Sequence, residues 1–506
     1  MLGIGAFFVT PYFEDYLSKR IAFFLVFVCF TLASSSESIL VSATFILIGL
    51  ACAILLRFGP YALFIVSIPF VVVIKFPTFL TLSVSDVILP VVCFVIIRNY
   101  KRRPDKSLRN LLKNPIIWIL LLLGAILLSA MQEKLNWGEY ALAIAKLAVA
   151  LTGGLAAIGI IFESQDDSQI KIGLLRTWVL TSFGIASLGL LAYLAQIFGI
   201  PSRFMYQSAR LQGTFDNPNA FAAYGLISLA LALLYNVHQR GRFNSIYTYT
   251  IFASIVLSNS RASQIAEVIF LVLGFVLLVR TTADLKSWIF FAVPNLMILF
   301  LFLPLISFAI SLFTTGGTIA GPPHNSPGPI QPSEVPSGPA STTTNPIQPR
   351  ESIGDDSRFH IWSFAVHLWK SSPLWGRGFG QFISLSKEQL GTGYVVHNSF
   401  LSFLVETGIL GGLVFVSVFI ALLVLLIRSK SVTGKILALG IVVSCVMMSS
   451  NNLENSRAVW VLMGSAYAWL TITSGTKSLR APDSIRSNPT RAGRAWGREG
   501  RVRPAR

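Results

Sequence analysis

Three residues in this sequence have side chains suited to group transfer: Arg210, Arg261 and His397. An arginine guanidinium can hold phosphate oxygens through paired N–H donors, and it can stabilise the negative charge that develops on a diphosphate leaving group. A neutral imidazole, with an unperturbed pKa of about 6.5, can take the proton of an attacking hydroxyl. The three side chains together would suit transfer from a phosphorylated donor to a hydroxyl, provided that the fold brings them together.

The elements that must position these residues are membrane helices. The chain has 506 residues, of which 54% are hydrophobic and 12% charged, and its mean hydropathy is +0.68. So much apolar surface excludes an ordinary soluble protein. Apolar runs of roughly 15–25 residues match the length of a membrane-spanning helix, and the alternation of a barrel strand is missing. The sequence therefore predicts an all-α polytopic membrane protein.

The apolar runs define candidate spans, several of them short, so about 12–14 transmembrane helices are predicted. The runs cover residues 21–33, 38–56, 61–75, 83–98, 115–130, 138–161, 173–199, 219–237, 244–258, 263–280, 287–313, 398–428, 433–450 and 457–473.

Basic residues in the short connections orient these spans, because positively charged loops stay in the cytoplasm. The segment 477–506 contains nine basic and two acidic residues, and counting back from it puts every basic cluster on one side. Both termini are therefore predicted to be cytoplasmic. The net charge of +18 indicates topology and contact with anionic membrane lipids rather than nucleic-acid binding. Lys146, near the middle of the 138–161 run, is not explained by this arrangement.

The predicted layout has an N-terminal helical bundle, one long outward-facing loop, C-terminal spans and a basic disordered cytoplasmic tail. These parts cover residues 1–313, 314–397, 398–473 and 474–506. Within the loop, 314–350 is a Pro/Ser/Gly tract that cannot bury enough surface to fold. Residues 356–371 have the pattern of an amphipathic helix that lies on the bilayer surface.

Arg210 and Arg261 have structural as well as functional interpretations. Arg210 precedes turn-forming residues that introduce a helix near Ala220, so free N–H groups of the helix N-terminus would add to the guanidinium in an anion site. The alternative is a single arginine that anchors the chain at the interface. Arg261 lies in a connection so short that its charge needs a partner. That partner is either a bound phosphate or Glu267, which is poorly placed for a pair within one helix.

In the sequence, His397 is the only histidine at a span boundary on the outer face. The alternative to a catalytic role is that of a structural histidine held by hydrogen bonds. His360 and His367 are seven residues apart, which is not the spacing of a helical metal site. The sequence shows no carboxylate pair typical of a glycosidase, no GxSxG elbow and no P-loop. Neither a metal site nor a cofactor is predicted.

Five ordered motifs resemble the O-antigen ligase family of lipid-linked glycan transferases, which includes polysaccharide polymerases and protein O-oligosaccharyltransferases. The motifs are RxQGTFDNPNxFAAY at 210–224, SxSRAS at 258–263, RxxxW at 358–362, PLWGRGFGQF at 373–382 and HNSFLxxLxExGxxGG at 397–412. They cover roughly the second half of the chain.

The resemblance implies a glycosyltransferase of the GT-C type in the bacterial inner membrane, with a periplasmic active site. Its donor would be a glycan on undecaprenyl diphosphate, and its acceptor a sugar hydroxyl of lipid A-core. Carried onto matching positions, the resemblance makes Arg210 and Arg261 the diphosphate ligands and His397 the base. Arg358 matches the loop arginine of the family, and the substrate-binding set is completed by Asn217 and Asn398. Direct attack opposite the leaving group predicts inversion at the anomeric carbon.

Other functions share these features. A polymerase and a protein-directed transferase would use the same donor site with another acceptor. A glycan flippase could use the arginines as counter-charges for phosphate, but it predicts ionisable groups near the midplane and an internal repeat. A purely structural anchor would leave the basic residues on a charge-poor face unexplained.

Overall fold

A computed structural model describes most of the chain. The described residues are 16–36, 38–56, 58–71, 74–75, 81–102, 106–131, 135–165, 167–206, 210–240, 245–279, 285–302 and 355–479. The predicted disordered tract 314–350 lies outside them, as does most of the predicted disordered tail 474–506. The first part of that tail, 474–479, is not disordered but is the end of a helix that begins at Arg457.

The described chain is almost entirely helical. The helices are α1 (Tyr16–Ser35), α2 (Ile39–Leu55), α3 (Pro60–Ser67), α4 (Val84–Arg102), α5 (Lys106–Ser129), α6 (Trp137–Glu163), α7 (Ser168–Ile197), α8 (Pro218–Arg240), α9 (Ile246–Leu257), α10 (Arg261–Gly274), α11 (Leu285–Met297), α12 (Asp355–Ser371), α13 (Phe382–Leu390), α14 (Ser399–Arg428), α15 (Val432–Met448) and α16 (Arg457–Leu479). Short π-helical turns, Phe275–Val279 and Ile298–Phe302, extend α10 and α11. The strands form two antiparallel hairpins: β1 (Ile74–Lys75) with β2 (Thr81–Leu82), and β3 (Met205–Tyr206) with β4 (Arg210–Leu211).

Membrane-spanning helices dominate this fold, which confirms the predicted all-α polytopic class. Six helices in the described residues are long and apolar enough to cross a bilayer: Leu108–Ser129, Trp137–Glu163, Ser168–Ile197, Pro218–Gln239, Arg261–Leu278 and Ser399–Arg428. Shorter apolar helices are Ile39–Leu55, Ile246–Leu257, Trp288–Phe300 and Val432–Met448. The total of about 12–14 spans stays a prediction.

Helix α8 is the centre of the bundle and packs against α7, α9 and α15. In its membrane-spanning window, 78% of the residues are buried within the protein. A Cβ on Gly225 would come within 2.6 Å of Ile255, so glycine allows α8 and α9 to approach closely. This close packing matters for the site because the first turn of α8 and the residue that follows α9 contact the same guanidinium, as described below.

The predicted span 61–75 is wrong in its second half. Helix α3 ends at Ser67, and the described residues beyond it form a turn and the β1–β2 hairpin. Pro69 is the second residue after Ser67 and has no N–H to continue the helical hydrogen bonds. The apolar composition of this segment therefore predicted correctly that its described residues are largely buried, but it did not predict their backbone conformation. Lys146, which the span pattern leaves unexplained, is exposed on the surface of α6.

Helix α12 confirms the amphipathic pattern, but its apolar face contacts protein. Ile361, Ala365 and Leu368 are buried in a small core with residues of α13 and α14, among them Phe382 and Val405. The polar stripe stays exposed: His360, Ser363, His367 and Lys370. The sequence pattern shows which face of the helix is apolar, but it does not show what covers that face. The predicted contact of this face with the bilayer is therefore wrong for the residues that pack on α13 and α14.

Candidate functional site

The β3–β4 hairpin holds Arg210 at the entrance to α8. Tyr206 pairs with Arg210 across the hairpin, and the N–H groups of Gln212 and Gly213 donate to the Phe204 carbonyl at 2.9 and 3.1 Å. These bonds close the connection that precedes α8. The motif that the sequence presents as a run of turn formers is therefore a compact hairpin and turn, which fixes the backbone of Arg210.

Two hydrogen bonds fix the half-buried side chain of Arg210. Its Nε donates to the Ser258 carbonyl and its Nη2 donates to Asn219 Oδ1, each at 3.1 Å. Burial lowers the pKa of the guanidinium below its ordinary value; Tyr206 acts in the opposite direction, and the positive charge of Arg358 adds to the lowering. A guanidinium nevertheless stays protonated throughout the physiological range. Arg210 is thus a positioned cation with a second arginine close enough to repel it.

Arg261 is brought to the same corner by the three-residue connection between α9 and α10. Ser260 caps α10 by accepting the Ser263 N–H at 3.4 Å, and Arg261 is the first, exposed residue of the helix. Asn259, at φ +47°, makes the sharp reversal between the helices. Because Arg210 binds the Ser258 carbonyl, the two predicted arginines lie at the same end of the bundle.

Asn217 and Asn219 have different parts in this arrangement. Asn217 Oδ1 accepts the Asn219 N–H at 2.7 Å, so its amide shapes the first turn of α8. Asn219, which the sequence analysis did not single out, contacts Arg210 directly. Its only sequence signal is membership in the same turn-forming run, which does not distinguish a capping amide from one that holds an arginine.

Helix α12 links Arg358 to the segment that carries His397. Arg358 is half-buried on the first turn of α12, within electrostatic range of Arg210. One turn later, Trp362 Nε1 donates to the Val396 carbonyl at 2.8 Å, and His397 is the next residue. Helix α12 therefore places Arg358 within electrostatic range of Arg210 and, one turn later, contacts the backbone beside His397, although these residues are far apart in sequence.

His397 immediately precedes the N-terminus of α14. It is half-buried, and its φ of +53° lies in the left-handed region that few non-glycine residues adopt. Asn398 is the N-cap of α14, and its Oδ1 accepts the Leu401 N–H at 3.0 Å. The Asn398 amide oxygen thus caps helix α14. This structural role differs from the contact with substrate that the sequence analysis predicts for Asn398.

The glycine-rich motif at 373–382 docks against a break in α14. Gly408, at φ +67° and ψ −171°, interrupts the helix and releases backbone groups that the neighbouring loop then satisfies. The N–H of Arg377 donates to the Val405 carbonyl at 2.9 Å, that of Gly378 to the Glu406 carbonyl at 3.0 Å, and that of Ile409 to the Pro373 carbonyl at 2.9 Å. These bonds fix the loop that follows α12 relative to the helix that begins at His397.

Sequence reasoning missed two sets of ionisable residues near this end of the bundle. Arg457 forms a two-pronged ion pair with Asp86, with N–O distances of 2.7 and 2.6 Å. Glu454 is buried in the loop between α15 and α16. The run SSNNLENSR at 449–457 is a polar interruption between two apolar segments, and that interruption was the available signal. Within the described part of the chain, no group of three or more His, Cys, Asp or Glu side chains is arranged to hold a metal ion.

Comparison with known families agrees with the motifs. Residues 246–416 match the family model described as O-Antigen ligase. This part of the chain is similar to the O-antigen ligase family. The matching segment runs from α9 into α14 and contains Arg261, Arg358 and His397, whereas Arg210 lies upstream and reaches it through Ser258. A comparison with curated proteins finds no match to this chain. The match confirms the resemblance, and it supports a lipid-linked glycan and a glycan acceptor as the general substrate class in a membrane.

Proposed function

We propose that the protein transfers a glycan from undecaprenyl diphosphate to a hydroxyl of lipid A-core, at the periplasmic face of the bacterial inner membrane. The ligase-family segment supports ligase- or polymerase-like activity in a membrane protein. The donor, the acceptor, the GT-C architecture and the side of the membrane are parts of the proposal. The orientation argument from basic loops supports a periplasmic site with cytoplasmic termini.

One observation carries this proposal. Arg210 binds the carbonyl of Ser258, three residues before Arg261, while Arg358 lies within electrostatic range of the same guanidinium. Like charges held this close repel, so an anion between them would be stabilising. A diphosphate has the charge and the oxygen geometry that arginine forks bind. Three arginines from separate parts of the chain are hard to explain as independent interfacial anchors.

The proposed reaction is a direct displacement. His397 takes the proton of the acceptor hydroxyl as its oxygen forms a bond to the anomeric carbon of the glycan. The bond from that carbon to the diphosphate breaks at the same time, and undecaprenyl diphosphate leaves with the electron pair. Arg210 and Arg261 stabilise the charge that develops on the leaving group, assisted by Arg358. Because attack is opposite the leaving group, the product has the inverted anomeric configuration.

Transfer in proteoliposomes tests the proposal. Purified protein is supplied with undecaprenyl-diphosphate-linked glycan and lipid A-core, and the transferred glycan is separated from the lipid-linked glycan. His397→Ala should lower the rate by roughly 10²–10⁴-fold, the usual contribution of a general base. Arg261→Ala should lower it by roughly 10²–10³-fold, as expected for lost stabilisation of developing charge.

Matched controls are available on the same face. His367 is exposed on α12, and Arg203 is an arginine whose side chain donates to the Ser35 carbonyl at 2.7 Å. His367→Ala and Arg203→Ala should transfer at the wild-type rate. A retained configuration in the product, or unchanged transfer by His397→Ala, would reject the mechanism. Transfer to a second lipid-linked glycan or to a protein, and not to lipid A-core, would replace the ligase with a polymerase or a protein-directed transferase. Movement of donor across the bilayer without transfer would indicate a flippase.

A further inference from the structure

The backbone at His397 needs support from outside its own segment. A histidine at φ +53° is in a sparsely populated conformation that costs free energy unless surrounding contacts impose it. Val396, which precedes His397, is 1% exposed, and Ser399, two residues after it, is fully buried. Trp362 fixes Val396 from one side, as described above. The other side is held by the loop between α15 and α16.

Ser399 makes three hydrogen bonds with that loop. Its N–H and its Oγ donate to the Asn451 carbonyl at 3.2 and 2.8 Å, and its Oγ accepts the Leu453 N–H at 2.7 Å. Asn451 is itself anchored, because its Nδ2 donates to the Met447 carbonyl at 3.0 Å in the last turn of α15. The start of α14 is thus tied to the end of α15.

Glu454 completes this support. Its side chain is only 8% exposed, it lies close enough to Ser399 to interact with its hydroxyl, and it accepts from Asn452 Nδ2 at 3.3 Å. Its backbone carbonyl accepts from Trp460 Nε1 at 2.7 Å, which fixes the loop to α16. Oε2 of Glu454 is buried and has no hydrogen-bond partner within the described ranges. Burying a carboxyl group so incompletely satisfied is costly. An apolar residue would serve better if the loop only joined two helices.

We propose that Glu454 and Asn451 are positioning residues that act through Ser399 to hold His397 in its left-handed conformation. The inference rests on the proposed role of His397 in glycan transfer. A misplacement of a reacting group by about 1 Å can cost on the order of a hundredfold in rate, because the reacting atoms must be aligned. The loop 449–456 therefore contributes to the rate without contact between Glu454 and the substrate.

Three variants test this inference. Ser399→Ala removes the hydroxyl bonds, Glu454→Ala removes the carboxyl group, and Glu454→Gln keeps its shape and hydrogen-bonding capacity. The first two should lower kcat at least about tenfold with donor KM within about threefold, and Glu454→Gln should restore most of kcat. Ser444→Ala is the control, since Ser444 is a buried serine whose Oγ donates to the Gly440 carbonyl of its own helix.

Hydrogen–deuterium exchange provides a readout that does not require transfer. Amide exchange at 396–401 should become faster in Ser399→Ala and Glu454→Ala, and remain at the wild-type rate in Ser444→Ala. Unchanged exchange at 396–401 would overturn the inference. It would also be overturned if kcat fell only in proportion to a loss of thermal stability across α14–α16. If the wild-type protein transfers no glycan, the proposed function fails, while local exchange at 396–401 still decides whether the loop holds this backbone.

Discussion

Asn219 gives the sharpest test of how Arg210 is held. The bond from Arg210 Nη2 to Asn219 Oδ1 is 3.1 Å long and only partly buried. Hydrogen bonds to charged groups contribute roughly 1.5–3 kcal/mol, and partial exposure favours the lower end. Asn219→Ala should therefore cost about 1.5 kcal/mol of transition-state stabilisation, or roughly a tenfold lower kcat/KM for the lipid-linked donor. Arg210→Ala loses the charge as well, and should cost roughly 10²–10³-fold.

A double-mutant cycle in proteoliposomes measures the coupling between the two residues. If Asn219 acts only by holding Arg210, the double variant should be no slower than Arg210→Ala, and the coupling energy should equal the effect of Asn219→Ala alone. Additive losses would refute this reasoning, because they would mean that Asn219 acts independently of the guanidinium. Asn217→Ala is the companion variant: it removes a helix cap, costs about 1 kcal/mol of stability, and should affect kcat/KM less than Asn219→Ala.

Three further predictions concern the elements around the site. Gly408→Ala should lower the stability of the protein by at least about 2 kcal/mol in thermal unfolding, because φ is +67° and a Cβ would lie 2.1 Å from a loop carbonyl; Gly391→Ala, at φ +74° with open space around it, isolates the smaller cost of backbone strain. Trp362→Phe removes the donor to the buried Val396 carbonyl and should slow transfer roughly three- to tenfold at equal expression, whereas a wild-type rate would show that the bond does not position His397. Burial raises the pKa of Glu454 above its ordinary value of 4.5, so the folded protein binds more protons than the unfolded chain above that pH; stability should fall as pH rises from about 4.5 through the raised pKa, and Glu454→Gln should flatten the curve in thermal unfolding.

Much of the fold follows from local pattern. The all-α polytopic class comes from apolar runs long enough to cross a bilayer, and the helix over 355–371 from the periodicity of its apolar side chains. The predicted membrane span at 61–75 was wrong in its second half. Buried residues there are as apolar as those of a membrane helix, so composition alone did not separate the two. Pro69 was the available warning there, because a proline without an N–H commonly ends a helix.

The candidate site was predictable in its residue types but not in its contacts. Arg210, Arg261 and His397 are readable as basic groups on a charge-poor face, because each stands near the end of an apolar run, whereas Arg358 is identified by its match to a family motif. The residues that hold these side chains in place cannot be predicted from the sequence in this way. Glu454 approaches the start of α14 from a loop more than fifty residues away, and no local pattern connects the two segments.

The sequence by itself determined that this chain enters a membrane as helices, and it determined which side chains have the chemistry for phosphate binding and proton transfer. Hydropathy and charge suffice for this because they are properties of short segments. Tertiary structure decided which amide holds Arg210, why the helix beginning at Ser399 breaks at Gly408, and what holds His397 at a positive φ. Those features depend on close approach between helices distant in the sequence, where backbone groups and single hydrogen bonds set the geometry.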